Sequence, residues 1–312
     1  MNAETPLNPP TSSAATEPTS SCACNKSDQG AGPQLVYSIG KLDVRLPSIG
    51  IEREFQHRER QLAGRAGEPQ WESRGARLSR VLQANLHLGR SVCFIHSVGG
   101  LPAYMVRPTS VDVLGRMVDA LQNVDQPDSW VLLIGQRGPM ALPSSCGGLL
   151  IPTVSCDQFY AFTMADFTAE LSRHAEPALK SAKIEPEYFM GAARELFERV
   201  ALSTENIGGT DPHRALNYLL VQHAGPFVAA AQRAQSSLLD SIQIRVDERS
   251  NARRIVTVIF TFIDRATAVP ERLFARVDVT EEWPFLVESP HGGASPLGLR
   301  PYVDDGSMGS AL

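Results

Sequence analysis

The chain has 312 residues, 43% of them hydrophobic and 20% charged, with a net charge of −5. That length fits one large domain or two small ones, and the acidic balance argues against a nucleic-acid surface, which needs a clustered basic excess. No apolar run approaches the roughly 18 residues of a membrane span, and the N-terminal MNAETPLNPPTSS lacks the basic and apolar regions of a signal peptide.

Residues 1–33 are rich in Pro, Ser, Thr, Ala and Asn. They carry too little apolar surface to offset the entropy of ordering, so a disordered tail is expected there and again at 289–312. A single folded domain is expected over 34–288. It opens with the strand pattern QLVYSIGKLDVRL (34–46), then the charged helix pattern IEREFQHRERQLAG (51–64) and a second helix at 74–86. SVCFIHSVGGLPAYMVRP (91–108) places two apolar runs around Gly99-Gly100, a hairpin signal. In 110–124, Val113, Leu114, Met117, Val118 and Leu121 share one helical face.

Strands are expected at 130–135 and 148–162, joined by a Gly/Pro/Ser-rich loop. In 185–203, Phe189, Met190, Ala193, Leu196, Phe197 and Val200 fall at helical spacing. DPHRALNYLLVQHA (211–224) reads as another helix, broken by Gly225-Pro226. Three strands follow at 241–248, 253–265 and 272–288, the last alternating Leu273, Ala275, Val277 and Val279 with polar residues. Strands at both ends with helices between them give an α+β fold with a mixed or mainly antiparallel sheet.

The strong catalytic motifs are missing from the sequence: no P-loop, no GxGxxG, no HExxH, no GxSxG elbow and no CxxC pair. Five scattered cysteines fit a reduced, cytoplasmic compartment better than a disulfide framework. Cys22 and Cys24 form a close pair in the N-terminal tail. Cys93 and Cys156 lie in strands, where a free thiol packs as a small hydrophobe. Cys146 stands between Ser-Ser and Gly-Gly, where the backbone can approach a ligand closely.

Asp211 before Pro212 reads as an N-cap followed by a first-turn proline, which puts His213 on the first turn of a helix. The helix dipole keeps that imidazole neutral, the form a metal takes, and the spacing to Leu216, Asn217 and Leu220 turns it toward the core edge. An ordinary core-edge histidine explains it as well. His223, near the helix end, reads as structural. A zinc site would draw on Cys146 and His213, with a third ligand from Cys93, Cys156 or Asp157. Asp157, Gln158 and Tyr160 place polar groups in an apolar strand. With Arg214 and Asn217 they are candidate substrate-binding residues.

Four blocks run in order along the chain: VYSIGKLDVRLPSIGIEREFQ (36–56), LIGQRGPMALPSSCGGLLIPTVSCDQFYAF (133–162), NIGGTDPHRALNYL (206–219) and FARVDVTEEWPFLV (274–287). Together they resemble the C-terminal domain of unknown function in cyanobactin maturation proteases of the PatG and PatA type. The family's Cys-Asn-Gly-Leu corresponds to Cys146 to Leu149. Its Asp-Gln-aromatic-Tyr corresponds to Asp157 to Tyr160. Its Asp-Glu-His-Arg-Ala-Leu-Asn-Tyr corresponds to Asp211 to Tyr218, with Pro212 in place of the Glu. The position of Cys156 is usually apolar in the family, which argues against that residue as a ligand.

The resemblance implies a homodimerising, zinc-containing accessory module of ribosomal peptide biosynthesis, without established catalysis, whose partner enzyme acts in trans. Three functions follow as expectations. The first is an accessory protein that binds a precursor peptide or a partner enzyme. The second is a zinc-dependent enzyme acting on a modified peptide, with Cys146, His213 and Cys93 as the metal set and Asp157 as base or ligand. The third is a purely structural dimerisation domain.

Overall fold

A computed structural model describes residues 34–66, 73–247, 253–287 and 299–302. The expected tails and the Cys22/Cys24 pair lie outside the described residues, apart from the short stretch 299–302. The described residues fall within one compact unit, Pro33–Leu312.

The N-terminal half builds a closed five-stranded barrel. Its strands are β1 (Leu35–Arg45), β2 (Cys93–Val98), β3 (Leu101–Pro108), β4 (Ser129–Met140) and β5 (Pro152–Thr163), in the order β1-β2-β3-β5-β4. The β2–β3 hairpin turns at Gly99 and Gly100, both at positive φ, as the sequence implies. β3 and β5 run parallel, Met105 opposite Thr153, while the other barrel pairs are antiparallel, so the barrel is mixed. Successive side chains of a strand point to opposite faces. On β1, Val36, Leu42 and Val44 turn inward to a cluster shared by all five strands, whereas Tyr37 and Ile39 turn outward to another. β4 divides in the same way, with Val131 and Leu133 inside and Trp130, Leu132 and Ile134 outside.

Helices α1 (Ile49–Ala66), α2 (Arg74–Ala84) and α3 (Val111–Ala120) extend the inner cluster with Phe55, Val81, Leu82 and Met117. The Ser73 and Ser110 side chains cap α2 and α3 by accepting from backbone N–H groups. On α3 the stripe read from the sequence is buried as expected: Val113, Leu114, Met117 and Val118, continued by Leu121.

The second half supplies a helical layer and a second sheet. The helices are α4 (Met164–Ala182), α5 (Pro186–Ala201), α6 (Asp211–Gln222) and α7 (Gly225–Arg233). The sheet comprises β6 (Ser237–Asp247), β7 (Ile255–Asp264), β8 (Pro270–Asp278), β9 (Phe285–Leu286) and β10 (Arg300–Pro301). Its main order is β10-β8-β7-β6, with β9 also pairing β8, and all its pairings are antiparallel. One apolar cluster joins the outer face of β1 and β4, helices α4 to α7, and the inner face of β7 and β8. The result is three layers: barrel, helices, sheet.

The α+β reading holds, with two sheets where the sequence implied one. The strand expected over 272–288 stops at Asp278, and residues 279–284 are irregular before the short β9. Helix α4 has no counterpart in the sequence reading, because Pro177 lies inside it. Its start is nonetheless marked: the Thr163 hydroxyl accepts from Asp166 N–H at 3.1 Å.

Candidate functional site

The stretch DPHRALNY forms the start of α6, the central helix of the molecule. α6 packs on β1 of the barrel on one side and on β7 and β6 of the second sheet on the other. Every residue from Arg214 to Leu220 is therefore buried. The cap is Thr210 rather than the expected Asp211: its side chain accepts from His213 N–H at 3.4 Å, and Asp211 begins the helix.

Buried polar groups need partners; in this run the Asn217 amide and the two terminal nitrogens of Arg214 have them, while Arg214 Nε does not. Asn217, fully buried, donates to the Tyr37 carbonyl at 2.9 Å and accepts from the Asn206 amide at 2.6 Å. One turn earlier, Arg214 is 1% exposed. Its guanidinium donates to the carbonyls of Val279 at 2.7 Å, Glu282 at 3.2 Å and Glu281, and pairs with Asp211 at 3.3 Å. Asp211 in turn takes Arg254 at 3.3 Å. Asn217 thus ties α6 to the barrel, and Arg214 ties it to the segment that leaves the second sheet. Gly208, at φ +75, sits against the Tyr37 carbonyl and the Ser38 backbone, where a Cβ has no room.

The same region gathers part of the expected binding set. Tyr37 meets Tyr218 and Trp283 edge-on, with ring centroids 6.2 and 5.9 Å apart. Burial pushes the Tyr37 hydroxyl above its ordinary value, and Tyr218 and Tyr160 add to the effect. On β5 the Tyr160 hydroxyl, in a side chain 40% exposed, donates to Gln158 Oε1 at 2.9 Å. Burial raises the Glu282 carboxyl, the Asp157 charge raises it further, and Arg214 opposes both. Asp157 and Tyr160 of β5 thus act electrostatically on Glu282 and on Tyr37, the neighbourhood in which Arg214 and Asn217 are bonded. Arg214 and Asn217 are spent on internal bonds there.

The cysteines are arranged differently from the expectation. Cys93 on β2 and Cys146 in the β4–β5 loop form a disulfide, with Cα atoms 5.7 Å apart. Cys146 adopts φ +49 beside Gly147 and Gly148, also at positive φ. With Ile95, Met105 and Ala141 the pair makes a small separate apolar cluster, onto which Leu149 and Ile151 pack. Reduced thiols were expected throughout, and these two are joined. Cys156 is free and buried; burial, then the Asp157 charge, lifts its thiol to about 12.

His213 stands on α6, and burial holds its imidazole below the ordinary value. That agrees with the neutral ring read from the sequence. The expected zinc set of Cys146, His213 and Cys93 does not fit this geometry, because the two sulfurs are bonded to each other and the imidazole belongs to another element. Among the described residues there is no group of three His, Cys, Asp or Glu side chains placed to hold a metal ion.

Two features have no counterpart in the sequence reading. Inside the barrel, Ser38 Oγ lies 2.8 Å from His96 Nε2, and His96 stacks on Tyr104 with centroids 6.3 Å apart. His96 is fully buried, and burial lowers it to about 3, so it is neutral. The only signal for it is its phase: in CFIHSV, His96 alternates with Phe94 and Val98 on the inward face. The other feature is a cleft of about 680 Å³ between the β2 start, the β3 end and the 144–146 loop, with Cys93 and Cys146 in its wall.

A closed mixed barrel, a buried polar helix and an outer antiparallel sheet define a layered α+β module whose most distinctive motif is an internal tie. The sequence matches the family described as PatG Domain over residues 35–222, and that described as PatG C-terminal over residues 183–291. The chain belongs to the PatG domain family. A solved structure titled PatG Domain of Unknown Function shares the fold, with a TM-score of 0.61 at 15% identity, covering 87% of this chain and 99% of that one. None of the curated proteins matches.

Proposed function

We propose that this chain is an accessory module of ribosomal peptide maturation of the cyanobactin-like kind, and that it binds an extended precursor peptide along the free edge of β6. Family membership supports the pathway. The observation that carries the binding mode is β6 itself. It is an 11-residue strand at the end of its sheet, paired with β7 on one side only among the described residues. Every second backbone N–H and C=O of such a strand faces outward, ready to take another strand.

The inner face of β6 is anchored: Leu239, Ile242 and Ile244 pack on the central cluster. At its N-terminal end a bulge lies between Leu239 and Ser241, and Arg199 donates to the Leu239 and Asp240 carbonyls at 2.7 and 3.2 Å. That contact closes this end of the edge and leaves 241–247 as the platform. Backbone pairing would supply affinity and the exposed Gln243 side chain selectivity, next to an Arg245 held by the Tyr302 hydroxyl at 2.8 Å.

The test uses a cyanobactin-type precursor peptide, labelled for fluorescence anisotropy, with hydrogen exchange read at β6. Saturable binding together with slowed exchange across 241–247 is the expected result. Binding without protection there contradicts the edge mode. Binding no better than a scrambled peptide contradicts the function.

A further inference from the structure

The cleft beside the disulfide has a composition unlike the rest of this acidic chain. Arg90, at the end of the turn after α2, and Arg107, near the end of β3, both line it. Both are exposed, and among the described residues neither takes a salt bridge or a side-chain hydrogen bond. No Asp or Glu lines the cleft, so its wall carries two positive charges in a chain of net charge −5. The apolar floor is made by half-buried Pro47 and Pro108, with the buried Val92 and Met105.

An unpaired guanidinium offers two parallel N–H donors that match a carboxylate or phosphate. A concave, largely apolar site with a few charged groups at its rim is the usual form of a small-ligand site. We infer that this cleft binds an amphipathic anion, with one carboxylate or phosphate headgroup held by Arg90 and Arg107 and an apolar body seated on the floor. The Cys93–Cys146 cross-link fixes the 144–146 wall against β2, so the site is shaped before the ligand arrives. The site stands apart from the β6 edge and does not depend on the peptide reading.

The probe is anilinonaphthalene sulfonate, an anion on an apolar body, followed by its fluorescence, with phenylnaphthylamine as the neutral counterpart. The wild type is expected to show one saturable site for the sulfonate. The combined Arg90→Gln and Arg107→Gln variant is expected to bind it about tenfold more weakly, and each single variant about threefold, in line with the loss of a solvent-exposed hydrogen bond at each position. Both side chains are exposed and unpaired, so the variants keep the wild-type circular dichroism and unfolding midpoint. The neutral probe binds wild type and variant alike. Displacement of the sulfonate by octanoate assigns a carboxylate headgroup, and displacement by octyl phosphate a phosphate one. Affinity within about twofold in the double variant, or displacement by neither competitor, overturns the proposal.

Discussion

Arg214 and the pair Arg90 and Arg107 are the same residue type in opposite circumstances. Arg214 is sealed between the barrel and the second sheet, and its guanidinium is committed to three carbonyls and Asp211. Arg90 and Arg107 line a cleft, and among the described residues neither takes an ion pair. A buried charge whose two terminal nitrogens are both bonded is costly to break and offers little to a ligand. A charge left unpaired at a concave surface costs little and is available. The comparison separates the part of the PatG domain that holds the fold from the part free to bind.

The largest expected effect breaks the buried side of that comparison. Arg214→Leu strips three carbonyls of their donor and leaves Asp211 with Arg254 alone, and urea unfolding should record a loss of about 3–5 kcal/mol. Arg214→Lys should recover only part of it, because an ammonium lacks the planar fork. Reducing the Cys93–Cys146 bond should come next. It spans a sequence separation of 53, and loop-closure entropy sets its contribution at about 4 kcal/mol, seen as a lower unfolding midpoint in dithiothreitol. An unchanged midpoint would mean that the 141–151 loop is held without it.

Acid stability sharpens the same contrast within the barrel. The folded value of His96 lies below its ordinary 6.5, near 3, so protonation favours the unfolded chain. The stability it supports is whole above pH 6.5 and falls as pH drops toward 3, by at most about 1.4 kcal/mol per unit. His213 and His223, also lowered by burial, act in the same direction. Asp278 and Glu271 are held below their usual 3.8 and 4.5 and contribute only further down. Urea unfolding from pH 6.5 to 4.5 should therefore slope downward, and His96→Gln should shallow that slope. The smallest effect lies on the open side: replacing Arg90 and Arg107 with Gln should leave unfolding within about 0.5 kcal/mol of wild type.

Local pattern carried much of the fold. The Gly99-Gly100 hairpin, the α3 stripe and the start of α6 follow from residue spacing and turn chemistry. The parallel pairing of β3 with β5 does not, because register between distant segments leaves no local trace. The sequence reads Cys93 as a packed thiol and Cys146 as a loop ligand, whereas a disulfide depends on how two Cα atoms are brought together, which spacing does not give. For α6 the polar residues of DPHRALNY read equally well as a wet binding face or as a buried tie. Only its place between two layers decides between them. His96 and the cleft arginines were passed over, since each looks ordinary until strands that are far apart in the chain close around it.

The central claim is that the α6 motif holds the layers together. Its most direct test is the urea unfolding of Asn217→Ala, which orphans the Tyr37 carbonyl and the Asn206 amide without removing a charge. A loss of about 1–3 kcal/mol is predicted. A stability within about 0.5 kcal/mol of wild type would contradict the account and return Asn217 to the list of residues free to meet a ligand.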